Sequence, residues 1–303
     1  MPSLFDRLVV TALPFVPRPV VRRVASRYVA GETLEDALAA VRALSEEGAM
    51  STLDVLGESV SRKEQTLATR DEYLRVLDAI AASKLPANVS VKPTAIGLAI
   101  DPALALENCR AICSRAAGHG IFVRLDMEDS PFTTATLDLA VALKAEFPGV
   151  GVVVQAYLRR TLADLDRLVA VSMNVRVCKG IYVEPRALAY KDRAAVVSNF
   201  AALVEKLLAA GCYVGIATHD DACVQRCLAV VDRLRLRPDA YEFQMLLGVD
   251  PELRKVLLSA GHRLRVYVPY GRDWHAYSMR RLKENPAIAG HVARGLLGLP
   301  PSV

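Results

Sequence analysis

Tyr277, Arg280, Arg281 and Glu284 would bring a phenol, two guanidiniums and a carboxylate together on a single helix. Residues three and four apart share a helix face, so Tyr277, Arg281 and Glu284 line up, with Arg280 flanking them. A guanidinium grips a carboxylate through two parallel hydrogen bonds, and the set therefore suits a small anionic substrate. Most Arg/Glu-rich helices are merely solvated and salt-bridged. This one follows directly on an apolar strand, Arg265-Val-Tyr-Val-Pro-Tyr270, and a Pro-Gly turn, and it carries two aromatics. That setting argues for a site.

Further chemistry-bearing residues recur where short apolar runs end. Lys92 closes one run, Asp126 and Glu128 the next, then Gln155 and Tyr157. Arg176 and Lys179-Gly180 follow, then Thr218-His219-Asp220, Glu242 with Gln244, and Tyr267 with Tyr270. A buried strand should avoid an unpaired ion, whose desolvation is costly. Polar ends on seven consecutive strands favour an active-site mouth over seven separate structural ion pairs. Two chemistries stay open for this mouth. Lys179 would serve as a Schiff-base nucleophile, as in class I aldolases, if desolvation lowered its pKa. Alternatively the positive charges of Lys92, Arg176 and Lys179 would hold an anionic cofactor and stabilise its reduced form. A barrel that binds an amino acid without catalysis is a third class. The phosphate-binding glycine motifs, the hydrolase elbow and the zincin pattern are all absent from the sequence.

The elements that must position these residues alternate regularly. Strands are predicted at 49–55, 88–92, 121–127, 150–157, 174–179, 212–218, 240–246 and 264–269. Helical periodicity covers 62–83, 102–117, 133–147, 194–210 and 220–234. Near-continuous apolar strands alternating with helices imply a parallel sheet buried on both faces. Eight units match a (β/α)8 barrel in the α/β class, with a final helix capping its mouth. The division expected is an N-terminal helical arm (1–47) and a catalytic barrel (48–303).

Composition agrees with a large packed core: of 303 residues, 52% are hydrophobic and 23% charged, with a net charge of +5. That charge falls short of a nucleic-acid-binding stripe. Arg7, Arg18, Arg22, Arg23 and Arg27 outweigh Asp6 near the start, a pattern shared by organelle-targeting peptides and basic arms; an arm is the reading favoured here. No apolar run reaches the ~18–20 residues needed to span a bilayer, so the expectation is a soluble protein, or at most one held peripherally at a membrane. The six cysteines read as reduced and mostly buried, and no metal site is expected.

The ordered stretches Ser-Val-Lys92, Leu-Asp126-Met-Glu, Val-Gln155-Ala-Tyr, Val-Arg176-Val-Cys-Lys179-Gly180-Ile-Tyr182, Ala-Thr218-His219-Asp220, Tyr241-Glu242-Phe-Gln244-Met-Leu246, Val-Tyr267-Val-Pro-Tyr-Gly271 and Tyr277-Ser-Met-Arg280-Arg281-Leu-Lys-Glu284-Asn285 resemble the proline dehydrogenases. They cover about residues 50 to 285, and the double-Arg helix is the most specific of them. The resemblance implies a flavoenzyme of proline catabolism that oxidises L-proline to Δ1-pyrroline-5-carboxylate and passes electrons to a quinone. It implies that Arg280 and Arg281 bind the substrate carboxylate, with Glu284 pairing with the site's cations. Lys92, Tyr267, Tyr277 and Leu246 would wall the substrate. Asp126, Gln155, Arg176, Cys178, Lys179, Gly180, Ile181, Thr218, His219 and Glu242 would contact FAD. A cytoplasmic enzyme, peripheral at the inner membrane (mitochondrial in a eukaryote), is the implied setting. Asp220, Cys178 and Ile181 depart from the family's usual asparagine, valine and alanine, which bears on the tuning of the flavin.

Overall fold

Eight short strands close into a parallel barrel in the computed structural model, which describes residues 21–22, 25–57, 60–275 and 277–279. The strands are β1 (Met50–Val55), β2 (Ala87–Val91), β3 (Val123–Leu125), β4 (Val150–Gln155), β5 (Asn174–Cys178), β6 (Val214–Ala217), β7 (Tyr241–Leu246) and β8 (Leu264–Tyr270). Helix α1 (Leu34–Glu46) precedes β1. The connections carry α2 (Lys63–Ser83), α3 (Pro102–Gly118), α4 (Thr133–Glu146), α5 (Thr161–Val169), α6 (Arg193–Ala209), α7 (Asp221–Arg233) and α8 (Pro251–Ser259). Each strand pairs in parallel with its sequence neighbours, and β8 closes on β1 through Met50↔Arg265 to Val55↔Tyr270. The expected barrel is therefore observed.

Alternate residues of a strand face opposite ways, so each strand sorts its side chains in two. The outward set is aliphatic: Val89 and Val91, Val123 and Leu125, Val152 and Val154, Val175 and Val177, and Val266 and Val268 are buried beneath the helices. The inward set is largely polar. Ser90, Arg124, Gln155, Arg176, Glu242 and Gln244 are all buried. Barrel interiors are usually filled with layers of branched aliphatic residues; this one is filled with a charged network instead.

Helix starts follow from side-chain caps. Asp101, Asp192, Asp220 and Asp250 each accept a hydrogen bond from a backbone N–H in the first turn of α3, α6, α7 and α8, satisfying donors that the helix leaves unpaired. Thr33 and Asp36 form a reciprocal capping box on α1.

Helix α1 fills the outer wall where the barrel closes. Its buried face (Leu34, Ala37, Leu38, Val41, Leu44) joins the same core as Leu53, Val266 and Val268. The segment before it crosses the mouth: Ala30 N–H donates to Pro269 O at 2.9 Å, and Gly271 N–H to Gly31 O at 3.0 Å. Beyond β8, Trp274, His275 and Tyr277–Met279 are helical, where the capping helix was expected to begin. Arg280, Arg281 and Glu284 lie outside the described residues.

Candidate active site

Two glycines make room for the polar interior. A Cβ on Gly151 of β4 would come within 2.7 Å of Arg124 Nη1, and one on Gly215 of β6 within 2.5 Å of Gln244 Nε2. A strand glycine of this kind marks close approach by a neighbour. Arg124 uses the space to donate to Asn174 O at 2.8 Å and Asn174 Oδ1 at 2.7 Å. Burial, foremost, with Arg176 close by, lowers its guanidinium to about 9, so it stays charged at neutral pH. Glu242 sits in the same interior. It accepts from Arg265 Nε at 2.8 Å, from Tyr213 OH at 3.0 Å and from Gln244 Nε2 at 2.5 Å. Burial pushes this carboxyl up, but Arg265 and the hydrogen bonds outweigh it and hold it at about 2.

Toward the C-terminal ends of the strands the network opens into the mouth. Arg176 Nε donates to Gln244 Oε1, and Nη1 donates to Asp126 Oδ1 at 2.8 Å. Asp126 Oδ2 takes the Tyr267 hydroxyl at 2.8 Å, and the Arg176 guanidinium lies over the Tyr267 ring. Arg176 Nη2 is buried and finds no partner among the described residues. Beside this group Lys92 Nζ donates to Asp54 Oδ1 at 2.5 Å, and Asp54 is fully buried. Burial raises the Asp54 carboxyl against the pull of Lys92, and the charge of Asp126 raises it further. Burial, then Asp126 and Asp54, push the Tyr267 phenol well above its ordinary range. The phenol of Tyr277 also acts on Tyr267 and packs with Val29, Leu56 and Trp274.

The rim carries the remaining residues. Gln155 Nε2 donates to Glu128 O at 2.9 Å, and the Glu128 carboxylate is held by Thr94. Gly180 has φ +104, and a Cβ there would overlap the Tyr157 ring; only glycine suits this position. Lys179 Nζ and Arg193 Nη2 each lie 3.0 Å from Asp220 Oδ2. Burial raises Asp220, but the two cations prevail and lower it. His219 Nε2 accepts from the Leu246 backbone N–H at 2.8 Å, and Thr218 Oγ1 accepts from Asp220 N–H at 3.0 Å. Cys178 Sγ lies 3.5 Å from Val154 O, and Ile181 is exposed on the loop after β5.

Lys92, Asp126, Arg176 and Tyr267 thus converge on one cluster, while Lys179, Asp220 and His219 occupy the rim. Glu242 is buried, with its carboxylate engaged by Arg265, Tyr213 and Gln244. Lys179, 40% exposed and ion-paired, lacks the desolvation that a Schiff-base amine needs. Asp54, Arg124 and Arg193 join the site without having been singled out from the sequence. Asp54 and Arg124 were readable as charges inside strands; Arg193 carried no signal, since its pairing with Asp220 spans 27 positions. Among the described residues no group of His, Cys, Asp and Glu is arranged to hold a metal ion, and the six cysteines are free.

The chain matches known proteins along most of its length. The family model described as proline dehydrogenase matches residues 37–294. Proline dehydrogenase of Deinococcus radiodurans is 40% identical over 278 residues, covering 90% of each chain. Proline dehydrogenase 1 of Bacillus subtilis subsp. natto is 39% identical over 273 residues, again 90% of each. Among solved structures, proline utilization A from Bdellovibrio bacteriovorus, inactivated by N-propargylglycine, superimposes with a TM-score of 0.84 at 23% identity. It matches 99% of this chain, which corresponds to 40% of that longer one, and at this identity the likeness bears on the fold alone. The sequence relatives carry the assignment further: this chain belongs to the proline dehydrogenase family.

Proposed function

We propose that the mouth binds FAD and L-proline, and that the enzyme oxidises proline to Δ1-pyrroline-5-carboxylate and delivers the electrons to a quinone. The observation that carries this reading is Arg176. It is buried and tied down at Nε and Nη1, and its Nη2 donor has no partner among the described residues. An orphaned buried donor is costly, and an acceptor on a bound flavin would satisfy it. Gly180, where any side chain would strike Tyr157, lets backbone approach a large planar ligand.

In this reading Asp126, Gln155, Arg176, Cys178, Lys179, Gly180, Ile181, Thr218 and His219 hold the cofactor, and Glu242 supports them from below. Bound there, FAD would supply the two-electron acceptor that oxidation of the proline ring at C5 requires. Arg280 and Arg281 fix the substrate carboxylate, and Glu284 balances their charge. Lys92, Leu246, Tyr267 and Tyr277 wall the ring and exclude water. Positioning of this kind contributes up to about 7–11 kcal/mol in favourable cases. The substrate amine must be neutral to release the hydride, and the cations Lys92 and Arg176 favour that free base. Among the described residues no helix is long and apolar enough to cross a membrane. We place the enzyme in the cytoplasm, meeting a lipid-dissolved quinone peripherally.

The purified protein is expected to be yellow and to bleach anaerobically on addition of L-proline. A preparation that stays colourless, and inert with added FAD and proline, refutes the reading.

A further inference from the structure

Gln244 stands between two groups with opposite demands. On one side Arg176 Nε can only donate; on the other the Glu242 carboxylate can only accept. The amide satisfies both in one orientation, carbonyl toward Arg176 and NH2 toward Glu242. The flipped amide would set NH2 against a guanidinium and a carbonyl against a carboxylate. Glu242 cannot turn away, because Arg265 and Tyr213 hold it. The amide occupies space that Gly215 leaves open: a Cβ there would lie 2.5 Å from Nε2.

This arrangement fixes more than Gln244. A planar guanidinium held at Nε by Gln244 and at Nη1 by Asp126 has its plane and rotation set. Nη2 is then the donor left over, buried at the mouth. Without the Gln244 carbonyl, Arg176 keeps one hydrogen-bonded partner, Asp126, and can slide over the Tyr267 ring about that contact.

We propose that Gln244, oriented by Glu242, is a positioning residue for proline oxidation: it holds Arg176 from beneath so that the Nη2 donors face the reacting cofactor. This rests on the reading of Arg176 as a flavin-facing donor. Gln244 itself touches neither substrate nor cofactor in this proposal.

The test compares Gln244→Met, similar in length but without polar ends, and Gln244→Glu with the parent holoenzyme. In Gln244→Met, kcat with proline is expected to fall by about 10²-fold, the order of loss for a misplaced catalytic group, with KM for proline nearly unchanged. The reduction potential of the bound flavin becomes more negative, because its reduced anion loses an aligned donor. In an Arg176→Lys background the same substitution adds little. A readout independent of turnover is hydrogen exchange at the Arg176 Nε–H by 15N NMR: protected in the parent chain, lost in Gln244→Met. Gln244→Glu keeps an acceptor for Arg176 but faces Glu242, so its kcat should recover relative to the parent as falling pH protonates one of the two carboxyls. This variant serves as the test if Gln244→Met fails to fold. An unprotected Nε–H in the parent, unchanged kcat and potential in Gln244→Met, or a pH profile of Gln244→Glu parallel to the parent overturns the proposal. If the Nε–H result holds but Arg176→Lys turns over normally, the reading of Arg176 fails and the proposal fails with it, while the Gln244 hold on Arg176 stands.

Discussion

Single residues in this barrel act through what they leave unpaired. If Arg281 grips the substrate carboxylate as proposed, Arg281→Met would remove one fork of that clamp, and losing a charge-assisted bidentate contact costs about 1.5–3 kcal/mol. Steady-state kinetics should show KM for proline raised by one to two orders of magnitude with the flavin still bound; unchanged proline kinetics would dismiss the clamp. Asp220 works in the opposite sense. Its carboxylate engages Lys179 and Arg193 at the rim, charges that an anionic cofactor would otherwise use. Asp220→Asn should therefore tighten FAD binding several-fold in a fluorescence titration, and weaker binding would show that Asp220 orders these cations instead of competing for them. The strand-end residues were legible because a charge in a buried strand is conspicuous. Asp54 lies in β1, the one strand without a polar end in the sequence pattern, and Arg124 lies inside its strand, two positions before Asp126. The hold of Lys179 by Asp220 could not be read at all, since 41 positions separate them and it is the pairing of β5 with β6 that brings their ends together.

At the scale of elements, β7 and β8 are joined within the lumen by Glu242 and Arg265 as well as by their ladder. Folded Glu242 has its carboxyl at about 2, below the ordinary 4.5. A depressed carboxyl contributes stability that is full above its unfolded value and is lost as pH falls toward the folded one. The window here runs from about 4.5 down to about 2. Glu242→Gln should destabilise the barrel by up to about 3–5 kcal/mol at neutral pH, because it takes the buried carboxylate from the part-buried Arg265. Denaturant titrations should show the gap between parent and variant narrowing as pH drops through that window. A gap independent of pH would mean that the pair is not what Glu242 contributes. The strands and longer helices were legible from period and capping. The nine-residue α5 and α8 were not assigned from the sequence, being only about two and a half turns long, although Asp250-Pro251 opens α8 as Asp101-Pro102 opens α3.

For the whole molecule, the question is what closes the barrel on its outside. A (β/α)8 chain normally covers its last strand with the helix that follows it, but here the chain beyond β8 begins its helix after Gly271, alongside the segment that crosses the mouth. Helix α1 packs over β8 and β1, and its Leu38, Val41 and Leu44 belong to the same core as Val266, Val268 and Leu53. The sequence predicts a helical arm over 1–47, but not where it docks, since an apolar stripe does not name its partner. The arm and barrel expected from the sequence are thus tied together through α1. Deleting residues 1–47 should expose the aliphatic backs of β1 and β8. Each fully buried Val or Leu lost from such a face is worth about 1.5–3 kcal/mol, and five of α1's residues are buried, so the loss is comparable with the about 5–15 kcal/mol that a domain commonly has. The truncated chain should be insoluble or lack a cooperative melt. A truncated barrel that melts where the full chain does would show α1 to be dispensable.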